Sequence, residues 1–152
     1  MMTSLLALNA LNFFMSDVRD GLGPFLGVFL QGKGWPPAEI GLLMTIGAYA
    51  GMIATTPLGA LVDATKAKRG LMIASALAII AASTVILAVP TFPATSMAQA
   101  INGMAGAAVG PAIAGLTLGL VKQTGFARQL GRNEAFNHAG NVTAALFGGA
   151  FG

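Results

Sequence analysis

The sequence predicts an all-α integral membrane protein, and three observations carry that prediction. Of the 152 residues, 55% are hydrophobic and only 9% are charged, against roughly 25% charged in a soluble domain. Mean hydropathy is +0.76, more apolar surface than a water-facing chain of this length could hide in one core. Five apolar segments, each about as long as a membrane-crossing helix needs to be, follow one another at about 4–31, 39–62, 70–89, 94–121 and 134–152. Composition also excludes several classes. With no cysteine there is no disulfide framework, thiolate metal site or Cys nucleophile. No basic run with interleaved aromatics supports nucleic-acid binding, and no metal or cofactor is expected. The opening "MMTSLLALNALNFF" lacks a basic n-region and a small-residue cleavage site, so it reads as the start of a mature span.

The first segment, 4–31, is apolar except for one stretch. "NFFMSDVRDGLGPFLGVFL" carries Asp17, Arg19 and Asp20 near the segment's midpoint. An ionised side chain at that depth costs about 2.5–3.5 kcal/mol unless it faces protein or water. At about 100° per residue, Asn9, Asn12, Ser16, Arg19, Asp20, Gly23 and Gly27 share one arc, with Asp17 roughly 60° beyond it. Leu11, Phe14, Met15, Val18, Leu22, Phe25 and Phe29 take the opposite side. Such a stripe lines a wet cavity or a buried helix contact. In one reading Arg19 and the aspartates are an ion-pair network that fixes register. In the other, Asn12, Asp17, Arg19 and Asp20 form a substrate and proton cavity, a carboxylate's pKa being set by desolvation against the neighbouring cation. Pro24 removes a backbone donor just after the charges and predicts a bend.

The connections give the remaining segments their direction. "GKGWPPA" and "PTFP" are tight turns marked by Pro and Gly. "DATKAKR" and "KQTGFARQLGRN" hold Lys66, Lys68, Arg69, Lys122, Arg128 and Arg132, whereas the other side offers only Lys33. The positive-inside bias makes the basic loops and the N-terminus cytoplasmic and puts Trp35 at the outer interface. The setting is a plasma membrane, the inner membrane if the source is bacterial. Gly47/Gly51, Gly106/Gly110 and Gly115/Gly119 are small-x-x-x-small pairs that predict close helix approach. An odd number of spans ending mid-helix at "LFGGAFG" suggests a piece of something longer.

At "GALVDATKAKR" the chain resembles the major facilitator superfamily. Gly59, Asp63, Lys68 and Arg69 match the family's motif between its second and third spans, although Ala64 and Lys66 replace the usual Arg and Gly. "QAINGMAGAAVGPAIAG" resembles the fourth span, with Gln99 where the family commonly has Arg, followed by Asn102 and Gly103. "GRNEAFNHAGNVTAALFGG" resembles the fourth loop and fifth span, with Arg132 at the loop arginine. The family is built as two six-span halves. The resemblance therefore implies five transmembrane helices of an N-terminal six-helix half, with the C-terminal half as the missing partner. It further implies a rocker-switch carrier whose cytoplasmic gate is formed by Gly59, Asp63, Lys68, Arg69 and Arg132. A plainer reading of the basic loop is topology alone. Asp63 asks for more, because a carboxylate at a helix C-terminus opposes the dipole.

Glu134, His138 and Asn141 recur at helical spacing on one face, with Asn137 beside them. They and Gln99 and Asn102 are secondary site candidates, His138 as a member of a proton path, although hydrogen-bonded packing is the preferred reading of a single His beside amides. "GMAGAAVGPAIAG" lacks the Lys-Ser/Thr ending of a phosphate loop. The expected function is secondary active transport of a small solute by alternating access, coupled to H+ through Asp17 or Asp20 with Arg19 as modulator. The alternative is a non-transporting membrane protein whose charged first helix is an assembly interface. An intramembrane enzyme is not expected, since Ser16 has no base in register.

Overall fold

The computed structural model describes residues 2–20 and 22–151, and their side chains except those of Met2, Asp17, Arg19, Asp20, Pro24 and residues 148–151. The described chain is helical throughout: α1 Met2–Asp20, α2 Gly23–Gly32, α3 Pro37–Ala64, α4 Lys68–Ala88 and α5 Phe92–Phe151. Three helices are long and apolar enough to cross a membrane, at Pro37–Ala64, Lys68–Ala88 and Phe92–Phe147.

The first apolar segment is two helices, not one bent helix. α1 ends at Asp20, and α2 starts at Gly23, whose φ of 29° is open to glycine at little cost. Phe25 and Leu26 donate their backbone N–H groups to Leu22 O at 2.8 and 3.0 Å, closing the first turn of α2. Pro24 thus sits in the first turn, where its missing N–H costs nothing, and the break falls ahead of it. The charged trio lies in the last turn of α1.

The expected fourth loop is likewise mostly helix. α5 is two limbs, 92–121 and 123–151, meeting at Lys122 with φ 59° and ψ −175°. One residue makes the corner, and Arg128 and Arg132 ride on the second limb instead of in a loop. The segment looked like a loop because Gly125, Gly131 and its charges interrupt the apolar pattern. Tertiary contacts override those weak local signals.

α5 is the centre of the bundle, and α1, α3 and α4 all pack against it. Met15, Val62, Met72, Ile79, Val109, Ala112 and Ile113 form one core cluster toward the basic end. Leu26, Leu30, Ile40, Leu43, Ala82, Ile86 and Ala98 form the other, toward the Trp35 end. There Trp35 stacks on Phe92 at 6.0 Å between ring centroids, joining the two tight turns. Outward faces remain greasy, with Val28, Ile53, Ile73 and Leu77 exposed, as suits a helix bundle whose solvent is lipid.

The glycines divide sharply. A Cβ on Gly103 would overlap the Gly47 carbonyl oxygen and come within 2.9 Å of Gly47 C and 3.0 Å of Gly51 N. α3 and the first limb of α5 therefore touch backbone to backbone, as small residues allow in membranes. The pairing of Gly47 with Gln99 and of Gly51 with Gly103 advances in the same direction, so the two helices run parallel here. Gly140 makes a second close crossing, against Phe13 O and Ser16 Oγ of α1. Gly106, Gly110 and Gly119 meet nothing within 4 Å, and Gly115 meets only Lys68. Of the three expected glycine pairs, only Gly47/Gly51 brings two helix backbones into contact, because the partner backbone must also be bare at that level.

Candidate functional site

A cleft of about 540 Å³ opens between α2, α3 and the first limb of α5. Gly23, Leu26, Met44, Gly47, Gly51, Met52, Thr55, Gln99, Asn102, Gly103 and Gly106 are among its lining residues. Gly47 and Gly51 lie near the middle of α3, so the cleft sits at mid-depth in the bundle. The close crossing at Gly103 creates it. Where two backbones touch, no side chain fills the space beside them, and the amide heads of Gln99 and Asn102 project into it. Asn102 Nδ2 donates to Gln99 Oε1 at 3.3 Å, while Asn102 Oδ1 is buried without a partner. Thr55 Oγ1 donates back to Gly51 O at 2.8 Å. Gly23, at the start of α2, lines the same cleft three residues after Asp20. The candidates Asp17, Arg19 and Asp20 are therefore next to this cleft along the chain, and their side chains lie outside the described residues.

The other candidate of the first-helix stripe belongs to a buried contact. Asn12 is 3% exposed and donates to Leu8 O at 2.8 Å. Ser16 is equally enclosed and donates to Phe13 O at 2.7 Å. Beside them runs a chain of amides that the sequence reading missed. Gln129 Nε2 donates to Asn9 Oδ1 at 2.9 Å and to Asn133 Oδ1 at 3.0 Å. Asn133 Nδ2 donates to Thr117 Oγ1 at 2.8 Å, and Thr117 donates to Ile113 O. All four side chains are buried, so α1 and both limbs of α5 are tied across the Lys122 corner. The signal was present in the sequence. Gln129, Asn133, Asn137 and Asn141 repeat every four residues, one helical face extending back into what read as a loop. Glu134 and His138 are exposed instead, and Asn141 is half-buried.

At the basic end a second cleft of about 670 Å³ is lined by Asp63, Lys68, Gly115, Leu118, Gly119, Lys122, Gln123 and Thr124. Lys68 packs its stem on Gly115 and donates from Nζ to Val62 O and, at 3.3 Å, to Thr65 O. A cation on the last carbonyls of α3 satisfies orphan acceptors and complements the helix dipole. Among the described residues Asp63 is exposed and makes no ion pair. Arg69 and Arg132 are exposed as well, and Gly59 is half-buried with open space beside it.

The described helices, three of them long and apolar enough to cross a membrane, with an amide-lined cleft at mid-depth and a charged cleft at one end, define a multi-pass helical membrane protein. The chain belongs to the major facilitator superfamily, whose family model matches residues 3–152. It is similar to uncharacterized MFS-type transporters of Mycobacterium tuberculosis strains CDC 1551 and H37Rv, at 49% identity over 148 residues and 95% of this chain. The chain spans 35% of the length of these relatives. No solved structure matches it significantly.

Proposed function

We propose that this chain forms the N-terminal part of a secondary active transporter that moves a small solute by alternating access, with H+ as the driving ion. The observation that carries the reading is the mid-depth cleft, which the amides Gln99 and Asn102 line and the charged last turn of α1 adjoins at Gly23. Solute would enter this cleft and complete its contacts on a C-terminal half of the same protein, as in two-half carriers. Asp17 or Asp20 would take up and release the proton, with Arg19 as its modulator. The gate would use Asp63 with Arg69 and Arg132, whose exposed heads can reach a partner. Lys68 is already engaged on the end of α3 and would serve the gate by holding that end in shape. The basic clusters support a cytoplasmic N-terminus in a plasma membrane.

The test is made on the intact protein in proteoliposomes. Asp20→Asn should abolish accumulation driven by a pH gradient while sparing counterflow exchange, because exchange needs no net proton movement. Accumulation at the wild-type level would remove Asp20 from the coupling role.

A further inference from the structure

We propose that Gln99 selects the solute in the mid-depth cleft, and that the solute class is uncharged and largely apolar, with an acceptor oxygen such as a carbonyl on one edge. The inference rests on the transport reading and gives its site a chemistry. The two ends of the Gln99 amide are not equivalent. Its Oε1 is held by Asn102 Nδ2 at 3.3 Å, while its Nε2 has no acceptor among the described residues of the cleft that Gln99 lines. Asn102 acts as the brace, its own Oδ1 enclosed and unpartnered. Thr55 has given its proton to Gly51 O and offers only lone pairs. Gln99 Nε2 is open to the cleft, so an acceptor oxygen seated there can receive its N–H.

The surrounding walls decide the remainder of the solute. Leu26, Met44 and Met52 are apolar, and methionine adapts its shape to an irregular guest. The glycine floor gives Gln99 its room, since a Cβ on Gly47 would come within 3.7 Å of Nε2 and 3.2 Å of the Gln99 backbone oxygen. No described residue lining the cleft is ionised. Against the described walls a carbonyl accepts from Nε2 and buries its apolar body, and no described lining residue offers an ion an opposite charge in exchange for its lost hydration. The volume of about 540 Å³ suits a small organic molecule.

The experiment measures binding to the purified intact protein by thermal-shift titration with three probes that share one apolar body: 2-naphthamide, 2-naphthoate and 2-naphthylmethylammonium. Wild type should bind the amide about tenfold or more tighter than either ion. Gln99→Leu should weaken the amide about three- to tenfold, the worth of one hydrogen bond. Gln99→Glu should reverse the preference toward the ammonium probe, a gain that a misfolded variant could not produce. Equal affinity for all three probes, no binding of the amide, or an amide Kd that ignores both substitutions would overturn the assignment. Amide binding that depends on Gln99 but is never followed by movement into proteoliposomes would leave the inference standing and remove the transport reading. Gradient-driven accumulation with no Gln99 dependence of probe binding would do the reverse.

Discussion

Replacing Gly103 with alanine should push α3 and α5 apart, and the structure sets the size of the effect. The added Cβ would overlap the Gly47 carbonyl oxygen and lie 2.9 Å from Gly47 C and 3.0 Å from Gly51 N. Ordinary contacts lie near about 3.5 Å, and the carbonyl oxygen is the closest atom, so the helices must separate by more than about 1 Å. The atoms in the way are backbone, which cannot swing aside as a flexible side chain would. Overpacking of this kind costs about 1–3 kcal/mol. Gly110→Ala is the control, because nothing lies within 4 Å of that position, and it should leave stability unchanged or raise it by up to about 1 kcal/mol, as Ala does over Gly inside a helix. The assay is unfolding of the intact protein in mixed micelles against a denaturing detergent, with both variants compared to wild type. Equal stability of the two variants would refute the backbone contact as the basis of the crossing, and with it the account of why the cleft exists.

Two further substitutions probe the corner of α5. Gln129→Leu keeps the volume but strands the oxygens of Asn9 and Asn133; at about 0.6–1.7 kcal/mol per membrane hydrogen bond, the same unfolding assay should show a loss of about 1–3 kcal/mol. Adding Asn9→Leu should cost less than the sum of the single changes, as residues of one network do, and strict additivity would mean the network is not coupled. Lys122→Gly removes a side chain from a backbone region that costs most residues about 1–3 kcal/mol, so stability should rise by about 1 kcal/mol after glycine's own entropy is counted. A loss of stability there would mean that the lysine head contributes more than its strained backbone costs.

The long apolar runs were legible because length and apolarity alone define a spanning helix. The predicted 39–62 and 70–89 correspond to Pro37–Ala64 and Lys68–Ala88. Breaks were harder to place. Pro24 drew the bend toward itself, whereas the chain turns at the residues ahead of it and uses the proline to restart the helix. At Lys122 a single residue turns a corner that glycines and charges made look like a loop of several residues. The amide chain from Asn9 to Thr117 was missed for the same reason, since Gln129 and Asn133 gain their meaning only once that segment is helix. Asn9, Asn12 and Ser16 are buried along one side of α1, and a partner of that side, the second limb at Gly140, lies more than a hundred residues away in sequence. In the cleft, Gln99 and Asn102 stood out by family resemblance. The Gly103 contact that opens space beside them depends on the register between helices, which no periodicity within one helix encodes.

In the proposed transport cycle the mid-depth cleft alternates between the two sides of the membrane. Single cysteines at Thr55 and Gly106, both lining the cleft, placed in the intact protein with any cysteine outside this cysteine-free chain replaced by serine, can report its exposure through a membrane-impermeant thiol reagent applied from one side at a time. Both positions in the intact protein should react from one side at rest, and imposing a pH gradient or adding solute should move their reactivity to the other. Reactivity from both sides at once, or from neither under any condition, would contradict the proposed cycle.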